Sequence, residues 1–340
     1  MHERMTPPFR HETERTWMSL PALTIGTRTA RLPIIQGGMA VRISLAPLAT
    51  AVAEAGGIGV IAGSGLGVPE FRDEVRRARA ATAGVLGVNI MVAARIFKEL
   101  VQTAIDEGVD LVVAGAGFSR DAFAWCRAAG VEYVPIVGSA RVARLSEKFG
   151  ASAVVVEGCE AGGHLGTDRL MMDLLPEILE AVDLPVIGAG GVVTGADIKR
   201  VLDAGAAGVQ MGSRFAATVE SSASNAFKQM YVNATEEDIV LTQSPVGLPG
   251  RAITNPLVER VAVGDYPAMP PCRACLKHCG KEYCIIDALE RAQRGDVVEG
   301  LVFAGSSAAR VHDIPTAADL MERLVREWEE ATAGAEGATS

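Results

Sequence analysis

The sequence repeats one unit eight times: a short apolar run that ends in a glycine-rich turn and is, in most cases, followed by a helical pattern. The runs are rich in Val and Ile and alternate little, as expected for parallel strands buried on both faces. They cover residues 33–38, 58–63, 85–91, 111–117, 133–138, 153–158, 185–190 and 208–213. Because strands that alternate with helices form βαβ units, eight such units predict an α/β fold with a closed TIM (β/α)8 barrel.

The region after the eighth run indicates a second domain. Apolar residues recur at helical spacing over residues 45–55, 70–81, 96–107, 121–129, 141–149, 170–182 and 196–204, and beyond these the rhythm stops. A chain of 340 residues, 49% of them hydrophobic, is longer than a bare barrel requires. We predict the barrel at 20–220, a smaller C-terminal lid domain at 221–312, and a closing helix at 313–332 that packs back on the barrel.

Charge and hydropathy limit the partners of the chain. A formal net charge of −9 offers no basic patch to the phosphates of a nucleic acid, so we expect no nucleic-acid partner. Residues 1–20 contain charged side chains but no apolar core, so we expect no secretory signal and a cytoplasmic protein. Glu54 and several glycines interrupt the apolar stretch 43–68, which favours a buried helix and strand over a membrane span. A small-molecule substrate and a homodimer are the expected partner and assembly.

Two glycine-rich turns follow the seventh and eighth runs, where TIM barrels commonly bind phosphate. They read Gly188-Ala189-Gly190-Gly191 and Gln210-Met211-Gly212-Ser213. Glycines let backbone N–H groups approach phosphate oxygens, and a helix N-terminus adds a favourable dipole. The glycines at 63–67 lack the G-x-G-x-x-G spacing of a Rossmann site, and the chain contains no P-loop motif. The sequence therefore predicts one phosphate group at the barrel mouth and no dinucleotide site.

His164 is the one histidine of five that follows a barrel strand. It stands among glycines, after Gly162-Gly163 and before Leu165-Gly166, at the face where TIM barrels carry their catalytic residues. Since an imidazole near neutral pH can accept a proton from carbon or deliver one to it, we predict that His164 is catalytic.

Further motifs occur in order along the barrel region. They are P-I-I-Q-G-G-M-A from Pro33, G-V-N-I-M from Gly87, E-A-G-G-H-x-G from Glu160, A-G-G-V from Ala189 and Q-M-G-S-R-F from Gln210. Together they resemble the nitronate monooxygenase (2-nitropropane dioxygenase) family, whose superfamily includes the flavin enoyl-ACP reductase of fatty acid synthesis. The resemblance covers about residues 31–322. It implies an FMN-containing TIM barrel with a small second domain, and it matches His164 to the active-site histidine of the family.

The resemblance also implies which residues hold FMN. The flavin would lie against the turn after the first strand and near two side chains at strand ends, and the phosphate would lie on the glycine turns. Carried over by position, the cofactor-binding residues are Gly38, Met39, Asn89, Glu157, Gly162, Gly163, Gly190, Gly191, Gln210, Met211, Gly212 and Ser213.

Two activities are compatible with this resemblance. Residues 244–252 resemble the monooxygenase members, which favours oxidation of small alkyl nitronates with O2, whereas the glutamate at Glu157 is common in the reductase. The alternative is NAD(P)H-dependent reduction of an enoyl-ACP or a quinone, which requires basic residues for the nicotinamide phosphates. Arg169, Arg214 and Arg251 are the candidates. A flavin-binding or metal-sensing protein without catalysis is a third, weaker hypothesis.

The predicted lid contains a segment of thirteen residues with four cysteines: Cys272, Cys275, Cys279 and Cys284. Nearby Lys277, His278 and Lys281 favour their thiolates. Their number fits a zinc or iron–sulfur site, although their spacing matches no standard motif closely. The alternative is a group of partly buried thiols that only packs the lid.

Overall fold

The computed structural model describes residues 20–338 of the chain. Its strands are β1 (Leu23–Ile25), β2 (Arg28–Ala30), β3 (Ile34–Gln36), β4 (Gly59–Ala62), β5 (Leu86–Met91), β6 (Leu111–Gly115), β7 (Glu132–Val137), β8 (Val154–Glu157), β9 (Gly163–His164), β10 (Val186–Ala189), β11 (Gly208–Met211), β12 (Ile239–Thr242) and β13 (Gly250–Ile253).

Helices alternate with the strands as far as β11 and then dominate the rest of the chain. They are α1 (Ala46–Glu54), α2 (Val68–Ala81), α3 (Phe97–Asp106), α4 (Arg120–Ala129), α5 (Ala140–Phe149), α6 (Met171–Leu179), α7 (Gly195–Asp203), α8 (Ser213–Ala216), α9 (Asn225–Asn233), α10 (Pro256–Ala262), α11 (Ile285–Arg294) and α12 (Ala317–Ala338). No helix of residues 20–338 is long and apolar enough to cross a membrane.

Eight parallel strands form one sheet in the order β3-β11-β10-β8-β7-β6-β5-β4. Its two edge strands meet through a parallel bridge between Ile35 and Ile58. Two hydrogen bonds support this bridge, from Gln36 N–H to Ile58 O over 3.0 Å and from Ile58 N–H to Ile34 O over 2.9 Å. The sheet therefore closes on itself, which confirms the predicted TIM barrel.

The barrel interior consists of β-branched and aliphatic side chains. Ile35, Val60, Val113, Val155 and Ile187 are all fully buried there. The opposite faces of the strands pack against the helices, so the strands have two apolar faces, as the lack of alternation predicted. The observed strands are shorter than the predicted runs because the terminal glycines leave the sheet. Gly190, for example, adopts a φ of +115° directly after β10.

The chain after β11 covers one end of the barrel. Strands β12 and β13 form a hairpin that pairs with β9 in a three-stranded antiparallel sheet, with Gly250 opposite His164. Helix α11 packs its apolar face in a cluster with Val41, from the turn after β3, and with Leu257 and Leu301. Helix α9 begins at Asn225, where the Ser224 side chain caps it. The sequence did not predict α8, α10 or α11.

Helix α12 returns to the barrel and packs against α7. Gly195 marks this contact: its N–H donates to Glu327 Oε2 over 2.8 Å, and a Cβ atom there would lie 2.2 Å from Leu324 O. Only a glycine permits this approach. The closing helix was predicted at 313–332, and the observed helix begins at Ala317 and ends at Ala338.

Candidate active site

One cavity of about 290 Å3 lies between the carboxyl ends of the barrel strands and the chain that covers them. His164 and all twelve residues predicted to hold the cofactor line this cavity. Their positions in the sequence span residues 38–213, so the barrel topology brings them together. The volume is close to the lower end of the usual range for small-molecule sites, about 300–1,000 Å3.

Glycine turns form one wall of the cavity. Gly190 and Gly191 adopt φ values of +115° and +73°, a backbone conformation that side chains with a Cβ rarely adopt. A Cβ atom at Gly212 would meet nothing within 4 Å and would project into open space. The Glu160 side chain lies 3.5–3.9 Å from the Cβ positions at Gly190 and Gly191, so the open part of this wall is at Gly212, where exposed backbone N–H groups suit a phosphate.

The glycine wall includes a residue that the sequence analysis missed. The Gly305 N–H donates to Ser213 Oγ over 2.8 Å, and a Cβ atom at Gly162 would lie 2.7 Å from the backbone of Ala304 and Gly305. Gly305 therefore completes the turn around Ser213. The only local signal was the glycine that ends the apolar run 301–305.

Polar side chains at the strand ends form the floor. The Gln210 Oε1 atom is buried without a hydrogen-bond partner, and a buried acceptor of this kind is normally satisfied. Glu157 ends β8, where burial raises the pKa of its carboxyl to about 7. Asn89 lies so close to the turn after β3 that a Cβ atom at Gly38 would lie 2.2 Å from the Asn89 Cβ.

His164 lies in β9 between the glycine wall and the lid. Its Nε2 atom is 2.7 Å from Ser244 Oγ, and its ring packs edge-to-face on Phe303, with centroids 5.1 Å apart at 72°. Burial lowers the pKa of the imidazole to about 4. The side chain is therefore neutral at physiological pH.

Large apolar side chains form the wall opposite the glycines. They are Val246, Leu276, Ile285, Ile286, Leu289, Leu301 and Phe303. Within residues 20–338 no Arg or Lys lines the cavity, and its charged lining residues are Glu157 and Glu160. The sequence did not reveal this wall because its members come from separate segments with no common period.

The three arginines predicted at the mouth are engaged elsewhere. Arg251 donates to the Cys159 carbonyl over 2.9 Å, and Arg169 pairs with Glu177 at 2.6 Å. Arg214 is buried and pairs with Asp313 at 2.8 Å. None of them lines the cavity. The structure therefore gives no support to their proposed role in holding nicotinamide phosphates.

The segment 272–284, which carries Cys272, Cys275, Cys279 and Cys284, lies between the barrel and the loop after β12. Its backbone is held by Arg95 N–H to Cys275 O at 2.9 Å, Lys277 N–H to Ala93 O at 3.0 Å, and Gly280 N–H to Pro245 O at 2.7 Å. All four thiols are free. The described part of the chain contains no group of three or more His, Cys, Asp or Glu arranged to hold a metal ion. The described residues therefore show no preformed zinc or iron–sulfur site.

Comparisons with known proteins agree with this architecture. A family model described as nitronate monooxygenase matches residues 23–103 and 92–327. FabK from Thermotoga maritima has 32% identity and a TM-score of 0.82 over 90% of this chain and 95% of its own. Nitroalkane oxidase from Streptomyces ansochromogenes has 27% identity and a TM-score of 0.78 over 90% of this chain and 98% of its own.

Two curated relatives carry different names. One is a (3aS,4S,5R,7aS)-5-hydroxy-7a-methyl-1-oxo-octahydro-1H-indene-4-carboxyl-CoA dehydrogenase of Mycobacterium tuberculosis (strain ATCC 25618 / H37Rv), 35% identical over 236 residues. That match covers 68% of this chain and 66% of the relative, slightly less than two thirds of its length. The other is a probable nitronate monooxygenase of Staphylococcus aureus (strain Newman), 30% identical over 285 residues, which covers 70% of this chain and 80% of the relative.

Proposed function

This chain belongs to the nitronate monooxygenase family of flavin-dependent oxidoreductases, and on that premise we propose that it uses FMN to oxidise or reduce the acyl group of a coenzyme A or acyl-carrier-protein thioester. Nitronate oxidation, the activity that the sequence motifs favoured, is the second candidate.

The residues present fit FMN. The glycine wall leaves room for a phosphate at Gly212, and the unpartnered Gln210 Oε1 offers a buried acceptor to a ring N–H. When bound, FMN supplies hydride transfer, and the protein supplies binding and orientation. The chain shows no dinucleotide fingerprint for an adenylate half, which favours FMN over FAD.

The charge and polarity of the lining around His164 carry the proposal. A nitronate is an anion, and here it would meet an apolar wall, two carboxyl side chains and no Arg or Lys of the described residues. Burial of an anion without a cation or several donors is costly. An uncharged acyl group buries hydrocarbon against the same wall and avoids this cost. The site therefore suits a neutral, largely apolar reacting group.

The relatives support a thioester substrate. The Mycobacterium relative is named as a dehydrogenase of a cyclic carboxyl-CoA, and the sequence motifs also resemble the flavin enoyl-ACP reductase. In both classes the reacting carbons are close to a thioester carbonyl. We infer that the apolar wall takes the carbon skeleton and that the thioester oxygen lies near His164.

The side chains of this site have separate tasks in the proposed reaction. His164 is neutral and offers a hydrogen bond to the substrate oxygen. The lid residues Leu276, Leu301 and Phe303 exclude water from the reacting carbons. Glu157, with a pKa near 7, is able to hold a proton at the strand end.

Nitronate oxidation has one specific observation in its favour. The Staphylococcus relative carries that name, and the resemblance of residues 244–252 to monooxygenase members lies in the loop that contacts His164. This activity needs O2 and an anionic substrate, so the two functions are separable by experiment.

Anaerobic stopped-flow mixing tests the proposal. FMN-loaded protein is mixed with NADH, NADPH, a panel of saturated and hydroxylated acyl-CoAs, or propyl-2-nitronate, and flavin bleaching is followed. Protein reduced by NADH, NADPH or dithionite is then mixed with α,β-unsaturated acyl-CoAs. We expect that a thioester either reduces the oxidised FMN or reoxidises the reduced FMN. We expect no bleaching of the flavin by the nitronate. Bleaching by the nitronate alone would overturn the thioester assignment in favour of the second candidate.

A further inference from the structure

Ser244 contacts the predicted catalytic histidine although eighty residues separate the two in the sequence. Its Oγ lies 2.7 Å from His164 Nε2. This contact is the one hydrogen bond of the His164 side chain within residues 20–338. His164 lines the cavity, and Nδ1, the remaining ring nitrogen, has no hydrogen bond within residues 20–338 and is not among the fully buried unpartnered atoms, so it is accessible to a substrate.

The hydrogen bonds of Ser244 favour one direction for this contact. Its Oγ accepts a hydrogen bond from the Val246 N–H over 3.3 Å. A serine hydroxyl has one hydrogen to donate, and in the described structure the acceptor within reach of it is His164 Nε2. If Nε2 carried the proton instead, the Ser244 hydroxyl would lose its acceptor. The structure therefore favours a bare Nε2 and a protonated Nδ1.

The loop that carries Ser244 is held firmly on both sides. Tyr283 donates its hydroxyl to Gln243 O over 2.9 Å, and the Gly280 N–H donates to Pro245 O over 2.7 Å. On the other side, the Leu165 N–H donates to Pro249 O over 2.9 Å, next to the pairing of Gly250 with His164. The serine and the histidine are thus fixed relative to each other by backbone contacts around both residues.

We infer that Ser244 is a positioning residue that holds His164 as the neutral Nδ1–H tautomer, so that the ring presents a hydrogen-bond donor to the substrate. This inference rests on the proposed function, which it sharpens. A donor at this point stabilises negative charge that develops on a thioester oxygen. It does not provide the free lone pair that abstraction of a carbon proton from a neutral nitroalkane requires.

Nitrogen NMR of the histidine rings tests this inference without any substrate. The protein is labelled with 15N-histidine and loaded with oxidised FMN, and the His164 signals are assigned from their loss in His164→Gln. We expect a pyrrole-like Nδ1 and a pyridine-like Nε2 in the wild type. Ser244→Ala should shift the population toward the Nε2–H tautomer, and Ser244→Thr, which keeps the hydroxyl, should restore the wild-type pattern.

Gln243→Ala is the matched control, because Gln243 precedes Ser244 in the same loop and its exposed side chain contacts Tyr266. It should leave the His164 signals unchanged. In turnover of a thioester, Ser244→Ala should lower kcat by roughly 10-fold with little change in KM, as expected for loss of one orienting hydrogen bond.

The NMR and activity measurements separate the inference from the proposed function. A wild-type spectrum with a protonated Nε2, or a Ser244→Ala spectrum equal to that of the wild type, overturns the role of Ser244 whatever substrate is turned over. The wild-type spectrum alone decides the tautomer even if Ser244→Ala fails to fold. Thioesters that fail to react while the spectra behave as expected would refute the substrate class and leave the tautomer assignment intact.

Discussion

The Gly305 N–H donates to Ser213 Oγ over 2.8 Å. This hydrogen bond connects the end of the lid to the turn after β11, the last barrel strand. A second contact lies beside it, where Arg214 pairs with Asp313 at 2.8 Å. The glycine wall of the cavity therefore depends on residues from two distant parts of the sequence. Substitutions in either part should therefore change the stability of the protein and its affinity for the ligand that binds at this wall.

We predict that Gly212→Val abolishes FMN retention. Gly212 has no positive φ, and a Cβ atom there projects into open cavity space, so valine adds bulk without backbone strain. FMN affinity should fall by at least about 10-fold, and the FMN-dependent rise in Tm should disappear. Gly166→Val is the control, because a Cβ atom at Gly166 also meets nothing within 4 Å, yet Gly166 does not line the cavity. Equal FMN affinity in both variants would contradict the assignment of the glycine wall.

We predict that His164→Gln retains FMN and loses roughly 10²-fold or more in turnover, the usual contribution of a group that handles a proton or polarises the substrate. His312→Gln, at an exposed position outside the cavity, should behave as the wild type. If the protein oxidises nitroalkanes, His164→Gln should slow neutral nitroalkanes more than preformed nitronates. An equal loss on both would show that His164 only orients the substrate.

We predict that Glu157 makes a contribution to the stability of FMN-free protein that falls between pH 4.5 and 7. The lowered pKa of His164 opposes this fall below pH 6.5, so the Glu157 effect is read from the difference between wild type and Glu157→Gln. The folded state holds the Glu157 proton up to a pKa of about 7, whereas the ordinary value is 4.5, so in this window the folded state binds more protons than the unfolded state. Relative to the wild type, Glu157→Gln should gain up to about 3 kcal/mol across the window and then level off. Urea unfolding at several pH values measures this difference. A difference that does not change with pH would refute the burial of this carboxyl.

We predict that Asp313→Ala destabilises the protein by about 1–3 kcal/mol, because it leaves the buried Arg214 guanidinium without its charged partner and also removes the pair of Asp313 with Arg323. Asp265→Ala removes a comparable but exposed pair with Arg260 and should cost less than about 1 kcal/mol. Chemical unfolding of both variants gives the comparison. Equal losses would mean that burial of Arg214 adds nothing to the value of its ion pair.

We predict that the cysteine segment 272–284 keeps its fold without a metal. Leu276, Tyr283 and Ile285 are buried beside the four cysteines, and backbone hydrogen bonds tie the segment to Arg95 and Ala93. Treatment of anaerobically purified protein with EDTA and an iron chelator should leave Tm within about 2 °C. Metal analysis before and after treatment shows whether zinc or iron was removed. A large fall in Tm that accompanies loss of one metal per chain would restore the predicted metal site.

The barrel and one wall of the site could be predicted from the sequence. Eight Val/Ile-rich runs with glycine ends determine parallel strands, and the ends of parallel strands meet at one face of a barrel. Glu157, His164 and Gln210 each follow or end such a run, so their order along the chain is enough to place them together. These signals are local, because each strand and turn carries its own composition.

The second wall was decided only by the tertiary structure. Ser244 reaches His164 across eighty residues, and Gly305 reaches Ser213 across ninety-two. Phe303, two residues before Gly305, packs against the His164 ring. Contacts of this kind leave no period in the sequence, because each is made by a loop whose path depends on the packing of the whole lid over the barrel. The sequence alone therefore determined the barrel and the glycine turns after its seventh and eighth strands, while the folding of distant loops over the barrel mouth placed Gly305 against Ser213 and decided the polarity of the cavity and the hydrogen bond of its histidine.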